Sequence, residues 1–303
     1  MKKQKIIAIV GPSSSGKTSL AINLAKELNG EVISVDSRQI YKGLDIGSAK
    51  PTVEEREGIE HHLLDIVEVT DEYTAADFCD DAKIKIDEIV KKGKVPILAG
   101  GTGLYYRILL QDFDLPRVAP NKELREELEK KSSEELYKLL LEKDNELAQK
   151  IHFNNKVKII RALEVCLTLN MPMSKAQKKK ESEYDTLWIG LNALNREFLY
   201  DNVNRRVDVM IKQGLLDEAK SLFDKYGDNN ILLSTIGYQE LYPFIKSEIN
   251  LETAIEQIKQ NTRRYTKRQI SWFNANKDIN WYDIEILSKQ QIYQSALDKY
   301  CEM

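Results

Sequence analysis

Residues 11–18 read Gly-Pro-Ser-Ser-Ser-Gly-Lys-Thr and follow directly on the apolar run Ile6-Ile7-Ala8-Ile9-Val10. The order G-x-x-x-x-G-K-T, set between a predicted buried strand and a predicted helix, narrows the possible folds sharply. It calls for a strand, a phosphate-holding turn and a helix returning over the sheet. Gly11, Pro12, Ser13, Ser14, Ser15 and Gly16 form the turn, whose free backbone N–H groups and adjoining helix end make an anion cradle. Lys17 adds a point charge for an outer phosphate, and the Thr18 hydroxyl is suited to hold a magnesium ion (Mg2+). The loop leaves open whether those phosphates belong to a nucleotide such as ATP.

The rest of the chain fits an α/β core. Glu31–Val35 and Val95–Ala99 are further short apolar runs, and Thr74–Lys92 between them has helical spacing through Ala76, Ala82, Ile86, Ile89 and Val90. Alternating strands and helices predict a P-loop NTPase-like parallel sheet flanked by helices, with ligands at the carboxyl ends of the strands. From about Pro116 the β signal fades. Ser132 to Glu135 reads as a capping box opening a helix over Leu136–Leu141, and Lys156–Leu169 carries an apolar stripe. Asp185–Ala193 reads as a return strand. Asn195 caps a helix that stops near Gly214, and a long helix is predicted over Leu251–Asn276. The expected division is a catalytic core of residues 1–115 and 185–303, interrupted by an α-helical insertion domain of residues 116–184.

Composition limits the function classes. With 45 basic and 48 acidic side chains the net charge is −3, so any nucleic-acid contact must come from local patches. No apolar run approaches a membrane span, and the Met-Lys-Lys-Gln-Lys start has no secretory pattern. The three cysteines, Cys79, Cys166 and Cys301, are too scattered for a disulfide framework or a metal knuckle. A cytoplasmic protein is expected. His61 and His62 are expected as surface or loop residues.

Several positions carry chemistry on their own terms. Asp36 ends the second strand, where a carboxylate can take a proton from an attacking group or simply cap a turn. Gly100-Gly101-Thr102-Gly103 follows the third strand; it allows close backbone approach, with Thr102 free to bond a phosphate or base, or it is a plain turn. An ATP-hydrolysing P-loop protein would carry a metal-binding acid there, and this strand ends in Ala99 and glycines instead. Arg263, Arg264, Lys267 and Arg268 line one side of the predicted long helix, as a phosphate-binding stripe or a solvated face. Lys156, Lys158, Arg161, Lys175 and Lys178–Lys180 concentrate charge on the insertion. Arg206 is placed either to reach a leaving phosphate or to pair with Asp208.

Taken together, the chain resembles the tRNA dimethylallyltransferase family. The matching stretches are Gly11–Thr18, the long block Asp36-Ser37-Arg38-Gln39-Ile40-Tyr41-Lys42-Gly43-Leu44-Asp45-Ile46-Gly47-Ser48-Ala49-Lys50-Pro51, and Gly100–Tyr105. They continue with Arg161–Glu164, Thr235–Glu240 and Arg268–Phe273, in the family's order over nearly the whole chain. The resemblance implies a phosphate loop that binds the pyrophosphate of dimethylallyl diphosphate without hydrolysing ATP. It implies that N6 of the adenosine beside the anticodon (position 37) attacks the prenyl carbon, with Asp36 accepting or orienting the amine proton. Lys17, Thr18 with magnesium, and Arg206 would stabilise the leaving group. By the same resemblance Asp36, Ser37, Arg38, Gln39 and Thr102 face the tRNA in the core, with Arg263, Arg264, Lys267 and Arg268 on the long helix. Arg125, Lys158 and Arg161 face it on the insertion. Where the family usually reads Gln-Arg this chain has Val157-Lys158, which keeps a charge and loses a planar fork. The implied partners are a tRNA anticodon stem-loop and dimethylallyl diphosphate, and a monomer is expected. A P-loop small-molecule kinase and an enzyme prenylating free AMP or ADP are the alternatives.

Overall fold

The structure, a computed structural model, describes residues 3–111, 116–176 and 181–303. The expected Lys178–Lys180 basic run lies outside them. The chain divides into two compact units, residues 1–110 with 183–303, and residues 111–182.

In the first unit β1 (Gln4–Val10) leads through the phosphate loop into α1 (Lys17–Glu27), followed by β2 (Gly30–Val35) and the two-residue β3 (His61–His62). Then come α2 (Ala75–Lys91), β4 (Val95–Gly100) and α3 (Gly103–Leu110). The second unit holds α4 (Lys122–Glu129), α5 (Ser133–Lys143), α6 (Asn145–Ala148), α7 (Lys156–Leu169) and α8 (Met173–Ala176). The chain re-enters the first unit with β5 (Tyr184–Asn192), α9 (Arg196–Lys212), α10 (Leu215–Tyr226), α11 (Asn230–Leu233) and α12 (Tyr238–Ile245). It closes with α13 (Leu251–Phe273), β6 (Asn280–Asp283) and α14 (Lys289–Glu302).

The six strands form one sheet in the order β3-β2-β4-β1-β5-β6, every pair parallel. Strand β1 lies between β4 and β5, with Ile7 level with both Ile97 and Leu187. Its residues Ile6 to Val10 are fully buried, as a strand covered on both faces requires. Ile6, Ala8 and Val10 pack with Phe78, Ile86 and Tyr106 of α2 and α3, whereas Ile7 and Ile9 pack with Leu20, Leu24 and Ala296 of α1 and α14. A further core gathers Ile40, Tyr41 and Leu44 with α9, α10, α12 and α13.

Local chemistry sets the helix ends. Thr74 and Ser132 each complete a capping box, and Asn195 and Asn250 cap α9 and α13 through side-chain oxygens. Two expectations fail. His61 and His62 form an edge strand, and His62 is buried with its Nε2 2.7 Å from Glu31. The reason is that Glu31, itself buried, needs partners. Burial pushes its carboxyl up, but hydrogen bonds from Lys94, His62 and Lys92 outweigh that and hold its pKa at about 2. The second miss is β6, beyond the long helix predicted to Asn276 and not read as a strand: a four-residue edge strand with a single buried residue and so no alternation to detect.

The helical unit has its own core, built on Leu128, Leu136, Leu140, Ile159 and Leu163. Beside it sits a fully buried carboxylate, Glu164. It accepts from the Asn121 amide at 2.7 Å, from Arg125 through Nε and Nη2 at 2.8 Å each, and from Arg161. Arg161 also donates to the Val118 carbonyl at 2.9 Å. Burial raises the Glu164 carboxyl, and these donors more than reverse the effect. Glu164→Ala is expected to lower the unfolding free energy of this unit by about 2–3 kcal/mol, read in urea with a probe on the insertion. An unchanged midpoint would show that both arginines satisfy themselves in water.

Candidate active site

In an all-parallel sheet the loops after β1, β2 and β4 leave at one edge. They carry Gly11–Gly16, Asp36–Gln39 and Gly101–Thr102. Two sets of hydrogen bonds stitch the loops together. The Ser37 amide donates to Thr102 Oγ1 at 3.1 Å, and the Thr102 amide to the Val35 carbonyl at 3.2 Å. From α13, the buried Gln269 takes the Ser13 amide on Oε1 at 3.0 Å and donates through Nε2 to the Gly101 carbonyl at 3.1 Å.

The phosphate loop is tightly constrained. Gly11 has φ 148°, and a Cβ there would stand 2.3 Å from the Leu191 carbonyl oxygen, so only glycine fits. Ser14 adopts φ 63°, a left-handed conformation that non-glycine residues rarely hold. Among the described residues the amides of Ser14, Ser15 and Gly16 have no acceptor, and the buried Ser15 hydroxyl has no partner. Ser15 is buried, Ser14 half-buried and Gly16 exposed, and backbone donors left open together in one turn mark an anion site. Lys17 donates to the Pro12 carbonyl at 2.6 Å. Burial of its ammonium lowers its pKa to about 8; the Asp36 charge opposes this and the Arg206 charge adds to it. Arg206 is exposed on α9, and Asp208, its expected alternative partner, pairs instead with Lys259 at 2.8 Å.

Asp36 plays the capping part of its two expected roles with one oxygen. Oδ1 accepts from the Arg38 amide at 2.8 Å and the Gln39 amide at 3.3 Å, while Oδ2 has no partner among the described residues. Burial pushes the Tyr265 phenol up to about 12; the Asp36 charge adds to this, while a hydrogen bond with Thr102 pulls the other way. Tyr265 and Gln269, both on α13, are site residues that the sequence did not single out. Their signals are placement alone: Tyr265 lies in the stretch that carries the basic stripe, and Gln269 in the Arg268–Phe273 stretch that resembles the family.

The other candidates fall into distinct settings. Gln39 is turned inward, bonding Ser34 and the carbonyls of Ser48 and Ala49, and Arg38 donates to Ser234. On α13 Arg263 donates to Asn204 at 2.6 Å, whereas Arg264, Lys267 and Arg268 are exposed. Arg268 lies 5.5 Å over the Tyr265 ring. Lys158 is exposed on α7, while Arg125 and Arg161 are engaged by Glu164. The long block from Asp36 to Pro51 is held from within and from α10. The Lys50 ammonium bonds the Tyr41 carbonyl, Asp45 and Asp65, and Glu218 accepts the amides of Asp45, Ile46 and Gly47.

One group of metal-capable side chains occurs among the described residues: Glu31, Glu60 and His62, with ligand atoms within 4.8 Å of one another. It lies at the amino end of β2, away from the loops, and two lysine ammoniums already neutralise Glu31. No helix is long and apolar enough to cross a membrane among the described residues.

A phosphate loop at the carboxyl edge of a parallel sheet, faced by a carboxylate rather than backed by a metal-binding acid after β4, defines a P-loop α/β protein of the group-transfer kind. A family model described as IPP transferase matches residues 39–276. Curated tRNA dimethylallyltransferases of Bacillus velezensis and Caldanaerobacter subterraneus are 44% and 45% identical, each over 93% of this chain and 92% of their own. The crystal structure of a tRNA delta(2)-isopentenylpyrophosphate transferase from Staphylococcus epidermidis is similar over 99% of both chains, at 38% identity and a TM-score of 0.74. A eukaryotic dimethylallyltransferase acting on tRNA matches with a TM-score of 0.85 and 31% identity, over 97% of this chain and 78% of its own. The chain belongs to the IPP transferase family.

Proposed function

We propose that this protein transfers the dimethylallyl group of dimethylallyl diphosphate to N6 of the adenosine next to the anticodon in tRNA, releasing pyrophosphate. The observation that carries the proposal is the open anion cradle of Ser14–Gly16 at the sheet edge that also holds Asp36 and Thr102. Family membership supplies the donor and acceptor.

In this scheme the N6 lone pair attacks C1 of the prenyl chain, and the C1–O bond breaks with its electrons leaving on pyrophosphate. The purine N6 is a weak nucleophile because its lone pair is delocalised into the ring. Loss of its proton to Asp36 Oδ2 as the bond forms, with Thr102 holding the base, addresses that weakness. Lys17, Arg206 and the loop amides would receive the charge growing on the leaving group, a reading supported by the Arg206 charge felt at Lys17. Magnesium suits the hydroxyl oxygens this loop offers, hard donors that an oxygen-preferring cation takes together with phosphate oxygens. Thr18 would hold the ion, which would supply further neutralisation of the diphosphate. The core contributes Ser37, Arg38, Gln39, Arg263, Arg264, Lys267 and Arg268 to the RNA surface. Of these Gln39 acts by shaping its loop, given its internal bonds. The insertion contributes Lys158 directly, and Arg125 and Arg161 through the edges that Glu164 leaves exposed.

The direct test is incubation with labelled dimethylallyl diphosphate and unmodified tRNA, followed by nucleoside analysis. ATP turnover without prenyl transfer would instead favour a kinase. Charge reversal at the stripe is a second check. Arg264→Glu with Lys267→Glu is expected to weaken binding of an anticodon hairpin about tenfold or more. The slope of log K against log salt should fall by about one per phosphate contact removed. An unaltered slope would make the stripe a solvated face.

A further inference from the structure

We propose that Gln269 is a positioning residue that sets the grip of the phosphate loop on the diphosphate, an inference that rests on the donor site proposed above. Gln269 projects from α13 with Thr266 three residues before it and Phe273 four residues after, and all three are buried on one face of the helix. Its amide spans two loops from different strands. Oε1 accepts the Ser13 amide at 3.0 Å, with Ser13 Oγ at 3.4 Å, and Nε2 donates to the Gly101 carbonyl at 3.1 Å.

The consequence lies in which loop amide is taken. Ser13 is the last residue before the three amides, Ser14 to Gly16, that have no acceptor among the described residues. Gln269 therefore fixes the boundary of the cradle. It satisfies the donor that would otherwise turn among the phosphates, and it fixes the backbone from which the open amides project. A primary amide suits both jobs at any pH, since its oxygen accepts and its NH₂ donates. The space is fitted to it as well: a Cβ on Gly101 would stand 2.0 Å from Nε2. Trp272, one turn further along α13, makes a similar close approach to Gly103, so the helix is seated against the β4 loop at two points.

Because Gln269 touches the loop and not the reacting atoms, its loss should appear in donor affinity more than in turnover. The experiment uses the full chain with inorganic pyrophosphate as the probe, by calorimetry, alongside steady-state kinetics. Gln269→Ala is expected to raise the pyrophosphate Kd about tenfold and the KM for dimethylallyl diphosphate in parallel, with kcat and the KM for tRNA within about threefold. Gln269→Glu, the same size, keeps the acceptor but sets a negative charge against the cradle and the Gly101 carbonyl, and should weaken pyrophosphate more than the alanine variant does. Gly101→Ala should mimic Gln269→Ala and add little to it, since both remove the same bridge. A merely structural glutamine would lower the melting temperature and the active fraction and leave donor affinity alone. Unchanged pyrophosphate affinity in folded Gln269→Glu overturns the inference. If wild-type protein makes no prenylated nucleoside, the proposed reaction fails, while the pyrophosphate measurements still decide the role of Gln269.

Discussion

Asp36→Asn lowers kcat for prenyl transfer by about 10²–10⁴-fold, while binding of an anticodon hairpin and of pyrophosphate persists. Asparagine is the informative replacement because Asp36 has two jobs at two oxygens. Oδ1 caps the turn through the Arg38 and Gln39 amides, and an asparagine carbonyl can keep accepting both. Oδ2, without a partner among the described residues, is assigned the N6 proton, and an amide there cannot take it. Asp36→Ala loses both functions, so it should match the asparagine variant in kcat but fall below it in stability. Near-wild-type turnover in Asp36→Asn would reduce the residue to a turn cap and leave the purine amine without a base.

The parts of this fold that show in the sequence are those with a strong local period or a fixed motif. The central strands β1, β2 and β4 are covered on both faces, so short apolar runs such as Ile6–Val10, Val32-Ile33 and Ile97-Leu98 mark them. The long helices announce their starts through Thr74, Ser132, Asn195 and Asn250, side chains that accept a first-turn amide. Edge strands β3 and β6 lack such a period. They exist because a neighbour offers a ladder, and a histidine pair or Asn-Trp-Tyr-Asp gives no warning of that. The site divides in the same way. The phosphate loop, Asp36 and Thr102 end strands, and strand ends can be placed from sequence. Gln269 and Tyr265 reach that edge from a helix more than 150 residues later in the chain, a proximity that only tertiary packing creates. Arg125 and Arg161 illustrate the opposite gap. Their charge is visible in the sequence, but nothing in the Arg161–Glu164 stretch tells that Glu164 is buried and holds both of them.

Lys17→Met should cost about 10²–10³-fold in kcat/KM for dimethylallyl diphosphate, the expected loss for one charged donor aimed at a leaving group in a sheltered site. Its pH dependence separates this role from simple packing. In the free protein the ammonium has a pKa of about 8, because burial disfavours its charge and Arg206 adds to that, against the pull of Asp36. The charged form grips the diphosphate, so kcat/KM should fall as pH rises through about 8, approaching tenfold per pH unit beyond it. A bound anion stabilises the ammonium, so the alkaline limb of kcat must lie at higher pH than that of kcat/KM. Lys17→Arg keeps its charge well past this range. It should bind donor less well at neutral pH, because the planar fork does not fit a cradle built for a point charge, yet show no alkaline limb near 8. A wild-type kcat/KM that stays level to about pH 9.5 would mean that the ammonium does not contact the diphosphate. The anion would then be held by the amides of Ser14 to Gly16 and by Arg206 without it.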